Sequence, residues 1–337
     1  MWTILTDRQT DRLTVQEQNM FYIMKIFACI SVIAAHVNNY VYEESKIDSI
    51  VTGFWSMYAQ CGVIVFFLLS GFFFKKEAGF RVLAKKKSKR IIVPWVVCAS
   101  MTYSLMLLRS HGNPSLRYLQ WVLGYGSWYY YLTVLVVILF LFQLLGISDT
   151  VLFICIAVNL VFIGYRTFWV KDSLIPFLTD YLNPLNWVGF FALGVFIKKY
   201  EVYRKMSKCQ YIGYLALGIF ALNSIYNIRK SVFTYFNLSM VITELSGAAV
   251  LFYLAIKLAQ RKLNWHKIGE STFFIYLVHM QVVQFISTRI TDGLIKYAFN
   301  PIFNFAIMLI ITLGMHKVLS KWRFGKNCLM ILGISKE

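Results

Sequence analysis

Charged side chains are scarce in this sequence: 15% of its 337 residues, with 15 Asp and Glu against 34 Lys and Arg. With 58% hydrophobic residues, 18% aromatics and a mean hydropathy of +0.61, that scarcity excludes an ordinary soluble domain, where roughly a quarter of residues are charged. The chain is expected in a membrane. Cys-x-x-Cys pairs are absent too. Cys29, Cys61, Cys98, Cys155, Cys209 and Cys328 lie singly within or beside apolar runs, which argues against a thiolate metal site and reads them as small core residues. The first 18 residues lack the basic start, short apolar core and small-residue cleavage site of a signal peptide, so the first span is expected to act as the targeting signal. No internal repeat, low-complexity tract or separate soluble domain stands out, and the activity is expected to reside in membrane helices and short loops.

What the sequence does have is a series of apolar runs near the 20 residues or so needed to cross a hydrocarbon core of about 30 Å. The expected fold is an all-α polytopic membrane helix bundle of about ten transmembrane helices, at residues 19–41, 53–74, 91–108, 128–146, 150–166, 185–197, 210–227, 238–257, 271–289 and 301–319. Both termini are expected in the cytoplasm, with residues 1–18 an N-terminal segment, 19–320 the membrane domain and 321–337 a tail. The sixth span is short and opens on Asn183-Pro184-Leu185-Asn186, a pattern for a broken span or a re-entrant turn lining a cavity. Residues 115–127 are a second re-entrant candidate.

Charge patterning tests this topology, because cytoplasmic loops collect Lys and Arg. Basic clusters follow the second span (Lys75, Lys76, Arg81, Lys85, Lys86, Lys87, Lys89, Arg90), the sixth (Lys198, Lys199, Arg204, Lys205, Lys208), the eighth (Lys257, Arg261, Lys262, Lys267) and the tenth (Lys321, Arg323, Lys326). The loop after the fourth has no basic residue. The net charge of +19 is therefore a positive-inside signal spread between spans, and a nucleic-acid partner is not expected.

Within the first span stand Lys25 and His36, residue types that are costly in a bilayer and usually have a partner or a task there. Eleven helical steps bring them within about 20° of one face and about 16 Å apart along the axis. Taken singly, Lys25 can snorkel to the headgroups and His36 can be a neutral imidazole bonded across to another helix. Together they suggest a polar track.

Lys25, ten residues and His36 resemble the basic-x10-His signature of the membrane acyltransferase type 3 family, in which the basic position is usually Arg. Further segments resemble that family in order: Gly62 to Phe74 its Ser-Gly-Phe helix, Lys85 to Trp95 its basic loop and Pro, Ser127 to Leu135 its Trp-containing helix entry, and Ile268 to His279 its late Gly-x-x-Ser and Ile-Tyr-Leu-x-His element. Two departures stand out. Tyr22 occupies a position that is commonly acidic, and the basic loop offers Lys87-x-x-Arg90 or Lys86-x-x-Lys89 where the family has two arginines.

The resemblance implies transfer of an acyl group, expected to be acetyl, from cytoplasmic acyl-CoA to a cell-envelope glycan such as a capsular or exopolysaccharide. The expected location is the plasma membrane, with no metal required. His36 would be the general base, Lys25 a guide for the donor, and Lys87, Arg90 and Lys86 its phosphate ligands. For His279 and Glu244 a catalytic or orienting role stands beside a structural one; Glu244 could orient a histidine or pair with Lys25. Ser70 and Gly71 suit close helix packing, and Trp128 with Tyr129 to Tyr131 suits an interfacial belt. His266, His316, His111 and the group Arg166, Asp172 and Asp180 carry weaker signals. Expected partners are the glycan, membrane lipid and a separate extracellular transferase or polysaccharide synthesis proteins. The alternatives are a transporter or flippase for a lipid-linked sugar or small polar solute, and a sensor or anchor whose charges are structural.

Overall fold

The computed structural model describes residues 13–38, 48–109, 117–168, 181–261, 263–287 and 300–334. Among them every regular element is helical, and the chain is an all-α polytopic membrane bundle. Each expected span has its helix: α1 (Val15–Asn38), α2 (Asp48–Phe72), α4 (Val93–Arg109), α6 (Tyr130–Leu145), α7 (Asp149–Phe168), α8 (Val188–Lys199), α10 (Gln210–Arg229), α11 (Leu238–Ala259), α12 (Trp265–Ser287) and α13 (Asn300–Leu319). Between and after them lie the shorter α3 (Phe80–Lys87), α5 (Tyr118–Leu123), α9 (Val202–Ser207) and α14 (Arg323–Ile331). Among the described residues, seven helical runs are long and apolar enough to cross a membrane: α1, α2, α3 with α4, α7, α10, α11 and α13.

The third expected span begins earlier than its apolar run. Helix runs from Phe80 to Leu108, with a π-helical turn at Ser88–Ile92. Pro94 gives the reason: it lacks an N–H and its ring crowds the carbonyl four residues back, and a wider turn absorbs that mismatch. The sixth span also departs from a plain helix. Pro184–Asn186 form a 3-10 turn, the Asn183 side chain accepts from the Leu185 amide at 3.1 Å, and α8 follows with 12 residues.

Burial sorts the helices into centre and periphery. In the best membrane-length window of α1, 78% of residues are buried, against 22% for α7 and 17% for α10. A helix that is apolar all round is stable only when surrounded, and α1 packs against α2, α11, α12 and α13. The α2–α8 crossing depends on glycine at two places. A Cβ at Gly71 would lie 1.9 Å from the Phe191 carbonyl oxygen, and one at Gly194 would lie 2.0 Å from that of Leu68. Small residues let backbones approach this closely, as the Ser70-Gly71 pair suggested.

Candidate active site

Because α1 and α12 pack side by side, the two histidines meet near the end of the bundle opposite the basic loops. The His36 and His279 ring centroids are 5.0 Å apart. Nδ1 of the fully buried His279 lies 2.6 Å from the Tyr276 carbonyl oxygen. A carbonyl can only accept, so Nδ1 carries the proton and Nε2 is left with its lone pair; among the described residues Nε2 has no hydrogen-bond partner. His36, half-buried, opens onto a cavity of about 680 Å³. Tyr130, Tyr181, Tyr235 and Trp128 help to line it, as do Gln60 and Tyr276. Aromatic faces there offer apolar contact and their polar tips offer hydrogen bonds.

The entry to α6 holds this site together. Trp128, Tyr129 and Tyr131 are 7%, 0% and 1% exposed, so they are core residues where an interfacial belt was expected. Their polar atoms explain the burial. The Tyr129 hydroxyl donates to the Leu277 carbonyl at 2.9 Å, and the Tyr276 hydroxyl donates to the Trp128 carbonyl at 2.6 Å. The Trp128 ring also stands edge-on to His279, centroid to centroid 6.0 Å. Ser70 is similarly engaged: its hydroxyl donates to the Phe66 carbonyl and lies 3.1 Å from the Tyr131 hydroxyl. That geometry suits packing and not nucleophilic attack.

Lys25 does not snorkel. It is 4% exposed, its Nζ lies 3.5 Å from Glu270 Oε1 on α12, and it stands 4.8 Å from the centroid of the Tyr22 ring. Glu270 was not singled out in the sequence, although it lies inside the Ile268–His279 segment. The acidic group missing at position 22 is thus replaced by one from α12. Glu244 sits in the early turns of α11, fully buried, and among the described residues neither carboxylate oxygen has a hydrogen-bond partner. Its electrostatic neighbours include Cys61, Tyr130 and Tyr235, and the two tyrosines line the His36 cavity.

Lys86 and Lys87 lie at the end of α3 and Arg90 in the π-helical turn after it, with Lys86 and Arg90 both electrostatic neighbours of Lys87. Lys86 pairs with Glu77 at 2.8 Å on an exposed surface, and neither Lys87 nor Arg90 lines the His36 cavity or the cavity at the basic end. Loop-dense lysines satisfy the positive-inside pattern without sharing a concave site. His266 packs on Tyr22, ring centroids 4.9 Å apart, and the Arg166 guanidinium lies 5.5 Å from the centroid of the Phe236 ring. His111, Asp172 and Asp180 lie outside the described residues. Among the described residues no cluster of three or more His, Cys, Asp or Glu side chains could hold a metal ion.

A family model described as an acyltransferase domain matches residues 21–315. No curated protein and no solved structure matches the chain.

Proposed function

The chain belongs to the acyltransferase type 3 family, and from that membership we propose that it moves an acetyl group from cytoplasmic acetyl-CoA to a hydroxyl of an extracytoplasmic glycan, with His36 as general base. The observation that carries the reading is the His36–His279 pair, 5.0 Å between ring centroids, in which His36 lines an aromatic cavity and His279 is buried behind it. By the positive-inside rule that cavity belongs to the outer side.

In the proposed step the acceptor hydroxyl oxygen attacks the thioester carbonyl carbon while His36 takes its proton. The C–S bond then breaks and coenzyme A leaves as the thiolate. His279, with Nδ1–H tied to the Tyr276 carbonyl, presents Nε2 to the N–H of the protonated His36 and is a positioning residue. Proton transfer by a positioned imidazole contributes about 10²–10⁴-fold. Lys25, paired with Glu270, is the polar step between the donor's entry and His36. The pair lets a cation reside in the bilayer at lower cost than it would alone. Trp128 and Tyr276 close one side of the site against water.

Proton NMR of envelope polysaccharide tests this in cells with wild-type protein or His36→Ala at matched membrane abundance. Loss of the O-acyl signal with polymer still exported is the expected result. Unchanged acylation with reduced surface polymer or uptake would instead favour a permeation path.

A further inference from the structure

The end of the bundle opposite His36 holds a second cavity, of about 770 Å³, between the ends of α2 and α8 and the short α9. Lys75, Lys76, Lys198, Lys199 and Arg204 line it, with Glu201. Among the described residues, no Lys or Arg lines the His36 cavity or the apolar one beside Tyr58. The positive-inside rule asks only that loops be basic. It does not gather cations around a concavity.

Three features separate this cluster from a solvated loop. The Arg204 guanidinium is fixed, by Glu17 and Glu201, both at 2.8 Å, and Lys199 is fixed by Asp149 at 2.8 Å. Lys75 and Lys76 form no ion pair among the described residues, and both are exposed at the cavity wall. Lys198, just beyond the apolar run of α8, is held over the Phe72 ring at 5.8 Å from its centroid. Burial, and then the neighbouring Lys75 ammonium, push Lys198 down to about 8. Like charges are therefore drawn together above an aromatic floor of Phe72 and Tyr203, an arrangement that a multiply charged anion relieves.

We propose that this cavity binds a phosphate-bearing anion of at least two charges, held by Lys75, Lys76 and Lys198 with Arg204 as a fixed wall. Two sources share that chemistry. One is the nucleotide end of the coenzyme A donor, an assignment that rests on the acyltransferase reading; the other is the headgroup of an anionic phospholipid. The site differs from Lys86, Lys87 and Arg90, which the sequence singled out.

The test uses the full chain in nanodiscs of neutral phosphatidylcholine and needs no acyl transfer. Coenzyme A binding is measured at equilibrium, and retained phosphatidylglycerol is counted by native mass spectrometry. The variants are Lys75→Gln with Lys76→Gln, Lys198→Gln, and a control, Arg81→Gln with Lys85→Gln, on the exposed face of α3. The Lys75 and Lys76 side chains are exposed, so the double variant is expected to unfold at the wild-type temperature. A loss of tenfold or more in coenzyme A binding, absent from the control, supports the site as the nucleotide pocket. Loss of the phosphatidylglycerol adduct alone supports it as a headgroup pocket. Wild-type binding of both ligands by the cavity variants overturns the proposal while leaving the acyltransferase reading intact.

Discussion

Lys25 and His36 are each matched by a residue of α12, Glu270 and His279. His279→Asn tests the positioning role. The amide can still donate to the Tyr276 carbonyl, but the Nε2 lone pair is lost. Acyl transfer is expected to fall about tenfold or more with little change in melting temperature, read by kinetics and thermal unfolding of the same preparation. The Lys25–Glu270 pair calls for a double-mutant cycle. Removing one member of a buried pair strands the other charge and costs roughly 3–5 kcal/mol, whereas replacing both by apolar groups is often nearly neutral. Glu270→Leu is therefore expected to lower the unfolding midpoint more than Lys25→Met with Glu270→Leu. If the double variant were the less stable by the sum of the singles, the two residues would not be acting as a pair.

At the scale of elements, the helices were legible and their junctions less so. Apolar runs near membrane length identify spans whatever packs around them, which is why all ten found a helix. The π-helical turn before Pro94 and the capped 3-10 turn before α8 arise from local backbone bonding, which hydropathy does not report. The belt assigned to Trp128 through Tyr131 failed for a related reason. Aromatic side chains near a span end read as interfacial, and only the carbonyls of α12 reveal that these side chains turn inward. The α2–α8 crossing gives the prediction at this scale. Gly194→Val must displace the Leu68 carbonyl, 2.0 Å from a Cβ there, and is expected to destabilise the fold by about 1–3 kcal/mol or more. Unfolding of the detergent-solubilised protein checks this, and a wild-type midpoint would mean that the helices separate at little cost.

Across the whole molecule, the order of the spans was legible from hydropathy but their neighbours were not. Lys25 lies in the first expected span and Glu270 one residue before the ninth, and no spacing rule joins them. Glu244 was offered as a possible partner of Lys25 because both are charged groups within spans, whereas Lys25 pairs with Glu270. Lysines and arginines are densest from Lys75 to Arg90, whereas the residues that line the basic cavity come from the ends of α2 and α8 and from α9. Cation density is visible in a sequence, whereas concavity needs the fold. The two-ended architecture predicts the outcome of impermeant thiol labelling in a cysteine-free background. Cysteine at Lys76 should react only from the cytoplasmic side and cysteine at Gly126, on the His36 cavity, only from outside. Labelling of both from one side would overturn the orientation.

Transfer of an acetyl group through His36 is the step on which the proposed function turns. Purified protein in proteoliposomes, given labelled acetyl-CoA on the basic-loop side and envelope glycan on the other, tests it most directly, with wild type and His36→Ala compared at equal incorporation. The account predicts label in the glycan with wild type and a fall of about 10²–10⁴-fold with the variant, coenzyme A binding being retained. Transfer by His36→Ala at the wild-type rate would contradict it.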